Sequence, residues 1–151
     1  TVLLGSFSSY VVVLVFTVIT GEPITWRWLV LIPLVATQTA FNAGAAMVAA
    51  RATTHFRDTT QFLPYMFRML NIASGVIFNV AAYAEGNRWI EFLFTLNPLY
   101  CFVTTARWTV LQDTRSDVTT GVIISMLVWT VVLVVGGFMW FRRGEAEYAR
   151  D

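Results

Sequence analysis

The stretch Trp89–Gln112, WIEFLFTLNPLYCFVTTARWTVLQ, is apolar enough to enter a membrane, yet Asn97-Pro98 interrupts it. An unbroken helical span needs roughly 20 apolar residues, at about 1.5 Å each, to cross about 30 Å of hydrocarbon. The first arm, Trp89–Leu96, rises only about 12 Å, and the second, Pro98–Gln112, about 22 Å. Neither crosses alone. Asn is a favoured helix N-cap and Pro is at home at the first helical position, so the pair restarts a helix rather than kinking one. The expected object is a re-entrant helical hairpin, about residues 89–112, that dips into one leaflet and returns. Such backbone is tolerated only where protein covers it or where it lines a wet cavity. The hairpin therefore reads as a plug or gate, and the chain around it as part of a transporter.

Composition points the same way. Hydrophobic residues make up 57 % of the chain and charged ones 13 %, with a mean hydropathy of +0.65. A soluble domain carries about 25 % charge. The expected class is an all-α integral membrane protein. A net charge of +1 without a basic patch argues against a nucleic-acid partner. All ten basic residues are Arg. The lone Cys101 cannot form an internal disulfide. Val2–Ile19 lacks the basic n-region and small-residue cleavage site of a signal peptide. The chain opens inside an apolar run without an initiator Met, and is expected to be the C-terminal part of a longer subunit.

Within one transmembrane domain, residues 1–151, four apolar segments approach bilayer length: about 2–19, 28–50, 61–84 and 119–141. Arg51, Arg57, Arg142, Arg143 and Arg150 fall on one side of these spans, and Arg27, Arg88, Arg107 and Arg115 on the other. The pairs at span ends, Arg51/Arg57 and Arg142/Arg143, place the 51–60 loop and the C-terminus in the cytoplasm. The turn Gly21–Arg27 and the hairpin then face outward. Trp26, Trp28, Trp89 and Trp140 sit at span ends, as an interfacial aromatic belt requires.

The third span carries the polar chemistry. At 100° per residue, Gln61, Tyr65, Arg68, Ile72, Gly75 and Asn79 fall within about 80° of one another. With Asn71 beside this stripe, the candidate pathway residues are Gln61, Tyr65, Arg68, Asn71, Gly75 and Asn79. Arg68, two turns in, is costly if it faces lipid. The stripe is either the wall of a polar passage or a bundle interface held by polar side chains. In the second span, Ala36, Ala40 and Gly44 form a small-residue ridge near Gln38 and Asn42, suited to packing on a neighbouring helix. Pro33 bends this helix or loosens one of its turns. The fourth span reads as a structural wall, where Gly136-Gly137 permits close approach or a bend.

The loop between the second and third spans, ARATTHFRDTTQ, holds His55, Phe56, Arg57 and Asp58. One His and one Asp supply neither a nucleophile nor a metal set. The loop is an interfacial elbow: Arg57 pairs with Asp58, Phe56 anchors, and Asp58 or Thr59 caps the next helix. Alternatively, it touches a cytoplasmic partner. In the hairpin's second arm, Leu99, Phe102, Val103, Ala106 and Val110 share one face, and Tyr100, Thr104, Arg107, Trp108 and Leu111 another. This arm is either half of a gate or a helix lying at the interface, apolar face down, with Arg107 snorkelling. With no Lys anywhere, no phosphate-binding loop lysine exists. A chain that moves cargo with ATP therefore needs another chain to hydrolyse it.

Two spans, an elbow reading AR-x-x-x-HFRD, a helix beginning QFLPYMFR, an outer linker and LNPLY before an amphipathic arm precede a final span and a charged tail. This order resembles the permease subunit of type-2 ABC exporters, most closely the branch exporting polysaccharides such as O-antigen and teichoic acid. Phe56-Arg57-Asp58 followed by Leu63-Pro64, and Leu96-Asn97-Pro98-Leu99, are its most specific pieces. The resemblance covers nearly the whole chain, as the last four of six spans. It implies a missing N-terminal interface helix and two further spans. It also implies a working unit of two permeases with two ATP-binding cassette subunits. ATP and Mg would be bound there, and this chain would hold no cofactor and catalyse nothing. The third span would line the pathway, with Asn97, Pro98, Tyr100, Arg107 and Trp108 at the outer gate and the elbow as a possible ATPase contact. A lipid-linked glycan would pass outward across the plasma membrane, packing on aromatic rings such as Tyr65, Phe67, Tyr83, Tyr100 and Trp108. The alternatives are an ABC export permease for drugs or small lipids, and an integral-membrane enzyme acting on lipid carriers. Glu85, Glu91, Asp113 and Asp117 share the outer side for the latter, but without a partner base.

Overall fold

The computed structural model of the chain describes Val11, Val15, Ile19, Gly21 and residues 25–55, 58–74, 88–110 and 118–148. Every regular element among them is helical: a 3-10 turn at Trp26–Val30, then α1 (Leu31–His55), α2 (Thr59–Ile72), α3 (Arg88–Thr95), α4 (Pro98–Val110) and α5 (Thr120–Tyr148). Two stretches are long and apolar enough to cross a membrane: Trp26–Thr54, with mean hydropathy 1.4, and Thr120–Arg143, with 2.5. They match the second and fourth expected spans. Of the first, 2–19, only Val11, Val15 and Ile19 are described, all helical and exposed. Of the third, 61–84, α2 covers the beginning, while residues 75–84 lie outside the described residues. The 14 residues of α2 rise about 21 Å, less than a bilayer crossing.

Pro33 loosens the start of α1. Without an N–H, Pro33 cannot bond the carbonyl four residues back; Leu29 O accepts instead from a backbone N–H that closes the 3-10 turn, and the chain upstream winds more tightly. Gly21, at φ 78, sits in the left-handed region that favours glycine, within the turn expected there.

The main packing seam joins α1 to α5 through two glycines. A Cβ on Gly44 would lie 2.6 Å from the Leu133 carbonyl carbon and 2.7 Å from the Val134 nitrogen. One on Gly137 would lie 2.8 Å from the Gly44 oxygen and 3.2 Å from a Val48 methyl. The backbones touch here because both lack side chains, the way membrane helices gain close contact without a hydrophobic drive. Gly44 meets Leu133, and Val48 meets Gly137, so contacts advance in the same direction along both helices. The two helices are therefore parallel. The elbow after α1 and the C-terminal end of α5 lie at the same end of the pair.

Against this pair packs α4. Leu34 and Phe41 of α1, Cys101 and Phe102 of α4, and Val122 and Met126 of α5 form the buried cluster, with the Phe41 and Phe102 rings edge to face at 5.3 Å. The outer surfaces of the two long helices stay bare: only 17 % and 22 % of their apolar windows are buried. Exposed Ile124, Val128, Val131 and Val135 would cost about 25 cal/mol per Å² in water, and nothing in hydrocarbon. Hydroxyls on these helices bond back onto their own turns, as Thr37 to Pro33 O (2.7 Å), Thr39 to Val35 O (2.8 Å) and Thr130 to Met126 O (2.8 Å).

Nothing lies within 4 Å of a Cβ built on Gly136, beside the seam. Gly44→Ala and Gly137→Ala should each destabilise the purified protein in detergent by about 1–3 kcal/mol, the usual cost of overpacking. Gly136→Ala should leave the unfolding midpoint unchanged or raise it. Equal effects at all three positions would show that the seam is not this close.

Candidate functional site

The helix break is built by its own backbone and by Asn97. At the end of α3, Leu96 N–H donates to Phe92 O (3.0 Å) and Asn97 N–H to Phe94 O (2.9 Å), tightening the last turn. Cys101 N–H then donates to Asn97 O (3.2 Å), opening α4. Leu99 N–H donates to Asn97 Oδ1 (3.0 Å). Asn97 is thus the N-cap and Pro98 the first helical residue, as the sequence requires. The other half of the same amide reaches a different element: Nδ2 donates to Leu70 O at 3.1 Å. That carbonyl sits in the last turn of α2. Its ordinary helical partner, Ser74 N–H, turns instead to Asn71 O (3.2 Å). One buried side chain, 8 % exposed, therefore starts α4 and completes α2.

Two further carbonyls of the break, Thr95 O and Leu96 O, are met by α5 and α4. Ser125 Oγ donates to Thr95 O (2.6 Å), Cys101 Sγ to the same oxygen (3.2 Å), and Trp129 Nε1 to Leu96 O (2.8 Å). Ser125 and Trp129 lie about 7.5 and 13.5 Å along α5 from Thr120, at 1.5 Å per residue. The break is therefore level with the second and third turns of the more apolar long helix. This corrects the reading of that span as a plain wall.

The second arm also differs from its helical-wheel reading. Its innermost stripe is Cys101, Thr105 and Thr109, at 0 %, 4 % and 0 % exposure. Of the face expected to be apolar, Phe102 and Val110 are buried, while Leu99, Val103 and Ala106 are half-buried. Thr105 and Thr109 satisfy their hydroxyls on Cys101 O (2.8 Å) and Thr105 O (2.7 Å), so they pack like small apolar groups. Among the gate residues, Pro98 is buried and Tyr100, Arg107 and Trp108 are half-buried. The Tyr100 ring lies 5.7 Å from that of Phe94, bridging the two arms. The Arg27 guanidinium stacks 4.7 Å over the Trp108 ring, tying the turn before α1 to the last turns of α4.

Gln61, Tyr65 and Arg68 come together as expected. With Pro64 they line an open groove of about 470 Å³ along one face of α2. All four are exposed, and so is Asn71, which is not among the lining residues. Phe62, Met66, Phe67, Met69 and Ile72 are exposed around the rest of the helix. Gly75 and Asn79 lie outside the described residues.

At the elbow, His55 is the last residue of α1, and Phe56 and Arg57 lie outside the described residues. Asp58 does not cap α2 with its side chain. Its backbone is helical (φ −79, ψ −10) rather than extended, which turns the carboxylate away from the N–H groups it was expected to meet. Its carbonyl accepts from Gln61 N–H (3.1 Å) and Phe62 N–H (3.2 Å). Thr59 Oγ1 instead donates back to Ala52 O (3.2 Å), closing the elbow onto the end of α1.

Ser125, Trp129 and the Cys101–Thr109 stripe are the residues that sequence reasoning missed. One signal was present. Trp129 sits in the middle of an apolar span, away from the aromatic belt, and an indole N–H among apolar residues needs an acceptor.

The double use of Asn97 gives a graded expectation. Asn97→Ser keeps an N-cap oxygen but loses the reach to Leu70, costing about 1 kcal/mol. Asn97→Ala loses both, about 2 kcal/mol. Asn97→Asp keeps the cap and turns a carboxylate oxygen on Leu70 O, so it should rank below Ser. Thermal unfolding in detergent tests this order, and equal midpoints for all three would remove Asn97 as the joint. No family model matches the chain, and no curated protein or solved structure does either.

Proposed function

We propose that this chain is the membrane-spanning part of a permease subunit of a type-2 ABC exporter. It carries a lipid-linked polysaccharide from the cytoplasm to the outer side of the plasma membrane. The observation that carries this reading is the break at Asn97-Pro98. Two short apolar arms meet level with the second and third turns of α5, and side chains satisfy the carbonyls left open there. Irregular backbone at that depth is what a re-entrant gate requires. The parallel seam of α1 and α5 supports an elbow and a C-terminus on one side, the cytoplasmic one by arginine placement. It also supports a return crossing within residues 56–119, which the third span supplies.

In this reading the groove on α2 is a wall of the pathway. Gln61 and Tyr65 offer neutral hydrogen bonds to sugar hydroxyls, Tyr65 a ring face, and Arg68 a cation for the diphosphate of a lipid carrier. A second copy of the subunit completes the passage, and two ATP-binding cassette subunits at the elbow side hold ATP and Mg. The chain catalyses nothing itself.

Arg68→Met tests the wall. Loss of one charge-assisted hydrogen bond, about 1.5 kcal/mol, corresponds to roughly tenfold slower export at unchanged membrane abundance. Normal export at normal abundance would take Arg68 out of the pathway. Purification of the full-length subunit from its own membrane should bring an ATPase and a glycan-lipid with it. A cysteine replacing Thr54 should cross-link to that ATPase in at least one nucleotide state. A preparation that carries neither ATPase nor glycan-lipid would overturn the assignment.

A further inference from the structure

We propose that Asn42, on α1, lines the same water-filled passage as Arg68 on α2, so that the polar pathway has a second wall. Asn42 stands about 18 Å in from the Thr54 end of the apolar stretch Trp26–Thr54. Its side chain is exposed. Thr37 and Thr39, nearby on the same helix, spend their hydroxyls on Pro33 O (2.7 Å) and Val35 O (2.8 Å). Among the described residues, none bonds the Asn42 amide. A carboxamide at that depth offers donors and an acceptor, and hydrocarbon answers neither. Polar side chains inside a membrane face the bundle interior or a wet cavity. Asn42 does not face the interior: Gly44, which meets α5, lies about 160° away around α1.

The elbow fixes which element runs beside Asn42. Thr59 Oγ1 donates to Ala52 O (3.2 Å), closing the start of α2 onto the last turn of α1. Both helices extend away from that contact. Asn42 is therefore level with Met69, each about 15 Å from the elbow. The far end of α2 stays near α1 as well. Leu70 O accepts from Asn97 (3.1 Å), and α4, which begins there, packs on α1 through the Phe41–Phe102 ring pair. Around α1, Asn42 lies about 100° from Phe41 and about 80° from Ala52, on the flank of the side that meets α4 and α2. Arg68 and Asn71, on either side of Met69, are exposed at the same level, and Arg68 lines the open groove. One wet space satisfies both side chains. Its α2 wall offers a cation and its α1 wall a neutral amide, which suits a cargo that carries hydroxyls beside an anionic group. The passage rests on the reading of α2 as a pathway wall, and Asn42 adds to it the contact for the neutral part of the cargo.

Reaction with a charged, membrane-impermeant methanethiosulfonate tests this on the full-length protein in lipid nanodiscs. Cys101 is fully buried, so the unaltered protein supplies the background. Asn42→Cys and Arg68→Cys should both react roughly hundredfold faster than Ala43→Cys, because hydrocarbon excludes a charged reagent. Ala43 is exposed at the same depth but is turned about 100° further from α2. Asn42→Cys as slow as Ala43→Cys, with Arg68→Cys fast, would overturn the wall on α1 and leave the reading of α2 standing. Arg68→Cys as slow as Ala43→Cys would overturn both. Fast reaction at all three would overturn the passage, since water would then reach the outer face of α1 as well. A second measurement needs no cysteine: at equal membrane abundance, Asn42→Gln should keep export and Asn42→Leu should slow it about tenfold. Unchanged export in Asn42→Leu would overturn the contact with cargo.

Discussion

A helix that stops among apolar neighbours leaves carbonyls with no hydrogen-bond partner, and each must find a donor. Here two helices stop close together, α2 after Ile72 and α3 after Thr95. The donors that meet their open ends join separate elements into one body: Asn97 bridges α4 to α2, and Ser125 and Trp129 bridge α5 to the end of α3. This constraint explains side-chain choices that hydropathy alone leaves arbitrary. The Asn97 amide offers an acceptor for Leu99 N–H and a donor for Leu70 O on two separate atoms of one side chain. A serine and a tryptophan one turn apart interrupt an otherwise apolar face of α5 because two consecutive carbonyls stand opposite them.

Much of this was legible in the residues. Asn97-Pro98 announces a restart through its own capping chemistry, and the structure starts α4 there. Of the small ridge Ala36, Ala40 and Gly44, only Gly44 enters the seam with α5, while Ala36 is exposed, because the packed face of α1 runs through Leu34, Phe41 and Gly44. What was not legible depends on what lies across the gap. A helical wheel sorts faces by hydropathy alone, yet a hydroxyl bonded to its own helix packs as readily as a small apolar group. The inside of α4 is therefore set by size and by self-satisfied hydroxyls, and Cys101, Thr105 and Thr109 go inward while Leu99 and Val103 stay only half-covered. Asp58 failed as a cap for a different reason: its backbone angle is set by the elbow, where Thr59 is committed to Ala52 O. Residue type alone does not report that angle.

The groove on α2 sits at the other end of this logic. Gln61, Tyr65 and Arg68 share a face by period alone, so the sequence was sufficient to group them. Their surroundings are not in the chain itself. The helix is bare on nearly every side, whereas α4 is covered by α1 and α5. An element this exposed beside a tightly bridged break divides the chain into a fixed frame and a surface, and the chemistry of the surface belongs to whatever lies against it.

The parallel seam of α1 and α5 also sets an order of assembly. Gly44 is synthesised long before Gly137, and a ribosome adds about 5–20 residues per second. For roughly 5–20 s the face of α1 that will meet α5 is without its permanent partner. Closure of the seam is thus a late event in biogenesis. The later of the two long helices is the one that locks the earlier, and with it the break, into place.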